Sequence, residues 1–196
     1  MKRFLIILSL VAPALAGLGA QRPNIVLILA DDLGYADVGV HGCKDIPTPN
    51  IDRLAETGVR FSNGYSSHPF RGPMRAGLMA CRYQQRFGYI TNVPHDPQNP
   101  TLGLSASERT IARRLQDAGY RTGMVGKWHL GAAHKKHPNK RGFDFFHGFL
   151  GGGHDYFQVD LHKPMHEGYH QPLQRNNEPA RFPGNIMRPK RCFTRS

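Results

Sequence analysis

The chain has 196 residues, 39% of them hydrophobic, which excludes a disordered protein and predicts one domain with a real core. Its formal net charge is +12, but the basic residues are scattered and do not form a stripe with aromatic residues, which argues against a nucleic-acid partner. After the first 20 residues, no stretch approaches the roughly 20 apolar residues of a membrane-spanning helix.

Residues 1–20 have the pattern of a cleaved secretory signal. Two basic residues precede an apolar run from Phe4 to Leu15, and small residues follow it. We therefore expect an exported protein, periplasmic, secreted or lumenal, whose mature chain begins near Gly17 or Gln21. The sequence leaves an uncleaved anchor open as the alternative.

The first predicted element of the mature chain is a buried strand. Residues Asn24 to Ala30 form a continuous β-branched and aliphatic run, as in a strand covered on both faces. Asp31 and Asp32 follow it directly. Adjacent carboxylates repel each other, and a hard cation such as Ca²⁺ or Mg²⁺ would neutralise both. The two residues are therefore either metal ligands or a pair that is solvated or caps a helix.

Helices and strands are then predicted to alternate. Thr48 and Pro49 open a helix that stops at Gly58, and a short strand is expected at residues 59–65. The next helix starts at Gly72 and Pro73, where helix dipole and amide donors suit a sulfate or phosphate group.

The pattern continues after a Pro- and Asn-rich loop at residues 93–107. Ser107 is predicted to cap a third helix that ends at Gly119, and residues 120–125 predict a strand. The run of basic residues at 134–140 is predicted to be a solvated loop. This order of elements predicts an α/β fold with a mainly parallel sheet flanked by helices.

Three segments, in this order, resemble signatures of the sulfatase family. Residues 22–34 read RPNIVLILADDLG, residues 71–83 read RGPMRAGLMACRY, and residues 126–131 read GKWHLG. The middle segment matches the family at Pro73, Arg75, Leu78, Arg82 and Tyr83 and departs from it at Arg71, Met74, Ala80 and Cys81. The resemblance implies the N-terminal part of an alkaline-phosphatase-like sulfatase fold.

The resemblance also implies the domain boundaries. Family members are considerably longer, so we expect a partial sulfatase domain at residues 21–180. A basic tail follows at residues 181–196, with five Lys or Arg residues and no acid, which predicts a disordered or aberrant segment. Cys43, Cys81 and Cys192 are an odd number for an exported chain, so at least one is predicted to be unpaired or to pair between chains.

The site residues are implied by the same resemblance. Asp31 and Asp32 correspond to ligands of a divalent metal, usually Ca²⁺. Arg71 stands where the family has a Cys or Ser that is oxidised to the nucleophile formylglycine, and arginine has no thiol or hydroxyl to oxidise. The remaining assignments are Arg75 at the formylglycine and metal site, Lys127 on the sulfate group, His129 in proton transfer, and His154 as a substrate-facing histidine.

The family activity implied is hydrolysis of aryl or sugar sulfates, with a sulfated small molecule or glycan as the ligand. We expect this chain to be inactive, because Arg71 replaces the nucleophile precursor and the second half of the family fold is not in the sequence. Two alternatives stay open. One is a non-catalytic protein that binds sulfate or sulfated glycan, and the other is a related phosphoesterase.

Overall fold

The computed structural model describes residues 22–154 and 171–180. The predicted signal segment, the basic tail and Cys192 lie outside the described residues. The chain divides into two compact units, Met1–Val59 and Arg60–Ser196. Within the described residues, no helix is both long and apolar enough to cross a membrane.

The segment predicted as the first strand is extended but does not pair with another strand in the described part of the chain. Side chains from Ile25 to Leu29 are 39% to 83% exposed, so the expectation of a buried strand is wrong for this structure. An apolar run is only half of what a strand needs. The other half is a neighbour that satisfies its backbone hydrogen bonds, and the local sequence does not specify one.

Helix α1 (Pro49–Thr57) is where the sequence predicts it, with a proline in its first turn and an end at Gly58. Thr48 precedes it, but its hydroxyl does not cap the helix. That hydroxyl accepts a hydrogen bond from the Gly39 amide at 2.7 Å and donates one to Asp52 at 3.2 Å. The first turn of α1 therefore holds the preceding loop in place.

The second unit contains helices α2 (Arg71–Ala80) and α3 (Ile111–Asp117). Both are predicted from the sequence, but the cap of α3 is Thr110, whose hydroxyl accepts a hydrogen bond from the Arg113 amide at 3.1 Å. Ser107, the predicted cap, instead bonds to Ser105 in the loop before the helix. Residues 59–65 form a turn with exposed side chains, so the strand predicted there is absent from the described chain.

The sheet of the second unit has four strands in the order β1 (Gly123–Lys127), β2 (Phe145–Phe149), β3 (Gln174–Arg175) and β4 (Glu178–Pro179). The pair β1 and β2 is parallel, with Lys127 opposite Phe149. The other two pairs are antiparallel. The described sheet is therefore mixed, and its parallel pair carries the GKWHLG segment. Short 3-10 helices lie at Tyr35–Asp37, Gly39–His41, Gln84–Phe87, His134–Lys136 and Pro138–Arg141.

The core of this unit forms around Trp128. The indole is fully buried, packs edge to face with Phe143 and donates its N–H to the Lys136 carbonyl at 3.0 Å. Lys136 and His137 are themselves buried, and the Lys136 ammonium donates to the Leu104 carbonyl at 2.9 Å. The prediction of a solvated loop at residues 134–140 is therefore wrong for Lys136 and His137, because a backbone carbonyl provides the buried ammonium with a partner, whereas His134, Lys135 and Lys140 are exposed.

Candidate active site

The start of α2 carries Arg71 as its first residue, with an exposed side chain. The Gly72 amide donates to Asn92 Oδ1 at 2.8 Å, Pro73 has no amide proton, and the Met74 amide donates to the Phe70 carbonyl at 3.1 Å. These positions are already satisfied, so this turn offers an anion fewer amide donors than the sequence predicts. An anion at this position would therefore have to be bound mainly by cationic side chains.

Arg75 lies one turn further along α2 and is 8% exposed. Its guanidinium donates from Nη1 to the Lys127 carbonyl at 2.9 Å. This bond joins the middle of α2 to the last residue of β1, across 52 positions of sequence. The guanidinium of Arg75, predicted at the formylglycine and metal site, is therefore held against the backbone of Lys127, the predicted sulfate ligand.

Trp128 and His129, which follow Lys127, extend the parallel pairing of β1 with β2. The Trp128 amide donates to the Phe149 carbonyl and the His129 amide to the Leu150 carbonyl, each at 3.0 Å. His129 has φ of 58°, in the left-handed region that residues with side chains rarely adopt. In this conformation the imidazole ring lies beside Gly152, in the loop that follows β2.

The electrostatic environment of His129 is strongly positive. Burial is the main cause that lowers the pKa of His129 to about 4. The positive charges of Lys127, Arg75 and Arg71 lower this pKa further, whereas a hydrogen bond with the Val93 backbone raises it. The imidazole is therefore neutral at neutral pH. Its Nδ1 is buried and has no hydrogen-bond partner among the described residues.

The glycine-rich loop after β2 borders this histidine. A Cβ atom built at Gly152 would lie 2.8 Å from His129 Nε2. The His129 ring therefore occupies the space that a side chain at position 152 would need. The loop is anchored by Gln171, whose Oε1 accepts from the Gly151 amide at 2.6 Å. His154 is buried and stacks on Phe149, with ring centroids 5.3 Å apart.

Asp31 and Asp32 lie in the first unit, in a bend with exposed side chains. Asp32 is in the left-handed region, with φ of 56°. Their carboxylates are the hard oxygen ligands that calcium takes, but calcium needs about six to eight of them. No group of three or more His, Cys, Asp or Glu side chains within the described residues could hold a metal ion. The residues described do not complete a calcium site.

Comparison with known proteins identifies the family. A profile of the sulfatase family matches residues 23–178. This chain belongs to the sulfatase family. The human N-acetylgalactosamine-6-sulfatase is 43% identical over 141 residues, which cover 67% of this chain and 27% of that protein. An arylsulfatase of Klebsiella aerogenes is 36% identical over 172 residues, which cover 85% of this chain and 36% of the relative.

Solved sulfatase structures confirm the fold class. The crystal structure of Ps i-CgsB in complex with k-i-k-neocarrahexaose has 47% sequence identity and a TM-score of 0.74, and the match covers 82% of this chain and 37% of that one. The α/β fold of an alkaline-phosphatase-like sulfatase N-terminal domain is thus the fold of this chain. The matches span 27% to 37% of the length of these proteins.

The structure brings four of the predicted site residues together in the second unit: Arg71, Arg75, Lys127 and His129. Their catalytic or binding roles stay predictions, as does the role of His154. Sequence reasoning missed three neighbours of this cluster, Tyr89, Asn92 and Gly152. Their contacts join residues 20 to 40 positions apart, or consist of an absent side chain, and neither produces a local motif.

Proposed function

We propose that the cluster at the start of α2 and the end of β1 recognises the sulfate group of a sulfate ester. The observation that carries this proposal is the bond from the Arg75 guanidinium to the Lys127 backbone carbonyl. It fixes Arg75 beside a buried neutral histidine whose pKa is lowered by the charges of both Arg75 and Lys127. Cationic donors in a partly desolvated place make strong charge-assisted hydrogen bonds to anionic oxygens. The neutral imidazole has a buried Nδ1 without a partner among the described residues and can hold or accept a proton there.

We further propose that this chain does not hydrolyse the ester. Arg71 occupies the helix-start position at which the family resemblance requires Cys or Ser as the formylglycine precursor. A guanidinium stays protonated at ordinary pH and has no nucleophilic oxygen or sulfur. His129, to which the resemblance gives a role in proton transfer, would then have no formylglycine with which to exchange a proton.

The ligand class proposed is a sulfated sugar or an aryl sulfate. Support comes from the names of the relatives, an N-acetylgalactosamine-6-sulfatase and an arylsulfatase, and from the oligosaccharide in the structural neighbour. Export after cleavage of residues 1–20, a family domain at residues 21–180 and Ca²⁺ at Asp31 and Asp32 belong to the same proposal. These three points rest on the sequence and on the resemblance alone.

Two assays on the 196-residue chain test the proposal. Incubation with 4-nitrophenyl sulfate should release no 4-nitrophenol once host sulfatases are removed. Calorimetric titration with inorganic sulfate should show binding that Arg75→Ala weakens by about tenfold, the value of one hydrogen bond to a charged group. Arg114→Ala, at an exposed position of α3, is the matched control and should leave binding unchanged.

Each outcome bears on one part of the proposal. Turnover of the aryl sulfate by the purified chain contradicts the absence of hydrolysis. An absence of sulfate binding, or binding that Arg75→Ala does not weaken, contradicts recognition at this cluster. The emission of Trp128, the one tryptophan of the chain, shows whether each variant keeps its core.

A second candidate function is a dedicated sulfate- or sulfated-glycan-binding protein. The observation that favours it is the charge of Arg71, which acts on His129 together with Lys127 and Arg75 and so adds a third cation to the cluster. Under this candidate Arg71→Ala weakens sulfate binding as Arg75→Ala does. Unchanged binding in Arg71→Ala excludes it. Preference for inorganic phosphate over sulfate would instead favour the related phosphoesterase.

A further inference from the structure

The backbone of His129 is held in an unfavourable conformation. Its φ of 58° is one of four positive values at non-glycine residues among the described residues. Such a conformation persists only where the surrounding structure fixes it, and it is often found at functional sites. The groups that hold His129 therefore determine where its imidazole lies.

Hydrogen bonds fix both backbone groups of this residue. Its N–H donates to the Leu150 carbonyl at 3.0 Å, and its carbonyl accepts from the Tyr89 hydroxyl at 3.2 Å. The Leu150 bond continues the pairing of two strands, but the Tyr89 bond comes from a side chain 40 positions away. Burial raises the pKa of Tyr89, which favours the protonated hydroxyl that donates this bond.

On another side, the imidazole occupies space that the absence of a side chain at Gly152 leaves open. A Cβ atom there would lie 2.8 Å from Nε2 and 2.9 Å from Cε1 of the His129 ring, closer than real Cβ contacts. The loop cannot easily retreat, because the neighbouring Gly151 amide is bonded to the buried Gln171 side chain at 2.6 Å. A side chain at position 152 must therefore displace the ring.

We propose that Tyr89 and Gly152 are positioning residues for His129: the Tyr89 hydroxyl fixes its backbone, and the absence of a side chain at Gly152 leaves space for its ring. The expected effect on ligand binding rests on the proposed function, in which the cluster of Arg71, Arg75, Lys127 and His129 binds sulfate. The expected effect on the pKa of the His129 imidazole does not rest on that function. The ring is surrounded by the charges of Lys127 from β1 and of Arg71 and Arg75 from α2, so a displaced ring titrates differently.

The test uses the 196-residue chain and the variants Tyr89→Phe and Gly152→Ala. Tyr83→Phe is the matched control, because Tyr83 is an exposed tyrosine that lies outside the cluster. The titration of the His129 imidazole is followed by NMR in histidine-labelled protein, with the signal assigned through His129→Gln. Sulfate binding is measured by calorimetry with inorganic sulfate.

We expect both variants to raise the pKa of His129 toward its ordinary value, because a less constrained ring is less desolvated. We expect sulfate affinity to fall by about 2- to 10-fold in each, the range for one hydrogen bond. Tyr83→Phe should change neither quantity. Because the two variants act from opposite sides of the residue, one of them still tests the idea if the other does not fold.

A folded Tyr89→Phe protein whose His129 titrates as in the parent overturns the role of Tyr89, and the same result in Gly152→Ala overturns the role of Gly152. A changed titration with no sulfate binding in any variant, parent included, supports the positioning roles and contradicts the proposed function. A changed titration with unaltered sulfate affinity supports the positioning roles and shows that sulfate is bound without His129.

Discussion

His129 combines a buried imidazole, a left-handed backbone and three neighbouring positive charges. Burial favours the neutral ring, and the cations favour it further. A bound anion has the opposite effect, because its charge stabilises the imidazolium. An anion bound at the cluster would therefore raise the pKa of His129, and the titration of this imidazole would report the binding.

The first prediction concerns the dependence of stability on pH. His129 has a pKa near 6.5 when unfolded and about 4 when folded, so between these values the unfolded chain binds a proton that the folded chain does not. The free energy of unfolding should therefore fall as the pH drops through this window. Between about pH 7.5 and about pH 5 the contribution of His129 is about 2 kcal/mol.

Urea unfolding of the parent and of His129→Gln at both pH values measures this contribution. The variant should lose about 2 kcal/mol less on acidification than the parent does. His134→Gln, at an exposed position, serves as the control for removal of a histidine. Equal losses in the parent and in His129→Gln would show that this imidazole is not held neutral by the fold.

At the scale of elements, the sequence predicts helices better than strands in this chain. The three helices follow from local signals: Pro49 and Gly58 at the ends of α1, Pro73 near the start of α2, and apolar spacing in α3. The strand predicted at Asn24 to Ala30 has the right composition and no partner strand in the described residues. Pairing is a non-local property, so composition alone cannot predict it.

The residues of the candidate site also differ in whether local sequence predicts them. Arg75, Lys127 and His129 are found from motifs, because the family resemblance attaches to short contiguous segments. Tyr89 and Gly152 are not, because one acts through a hydrogen bond to a residue 40 positions away and the other through space it leaves empty. Both contacts depend on the folded position of His129, which no local motif specifies.

The second prediction separates two candidate caps of α3. Thr110 accepts from the Arg113 amide and also donates to the Arg141 carbonyl, whereas Ser107 bonds only within the preceding loop as far as the described contacts show. Thr110→Val should lower the free energy of unfolding by about 1 to 2 kcal/mol through loss of the cap. Ser107→Ala should lower it by less than about 0.5 kcal/mol, as is usual for surface changes.

Urea unfolding followed by Trp128 emission provides the comparison, because the indole is buried in the core of the same unit. The two substitutions remove one hydroxyl each and lie three positions apart, so they form a matched pair. A larger loss in Ser107→Ala than in Thr110→Val would favour the cap predicted from the sequence.

At the scale of the whole molecule, the net charge of +12 attracts any polyanion, whether or not a site exists. Such attraction is long-ranged and weakens steeply with salt. The proposed recognition at the cluster would depend instead on where a few cations lie and on their burial. Affinity for a sulfated glycan alone therefore does not distinguish attraction by net charge from recognition at the cluster. Two variants that lower the net charge equally, one at the cluster and one outside it, do distinguish them.

The third prediction uses Lys127→Ala and Lys135→Ala, which lower the net charge equally. Lys127 is buried at the cluster, whereas Lys135 is exposed on a short 3-10 helix. At about 150 mM salt, where exposed charges more than about 8 Å apart are largely screened, Lys127→Ala should weaken binding of a sulfated oligosaccharide by at least about tenfold. Lys135→Ala should change it by less than about twofold, as expected for an exposed charge. Equal losses in the two variants would mean that net charge, not the cluster, binds the glycan, and the proposed sulfate site would then have to be abandoned.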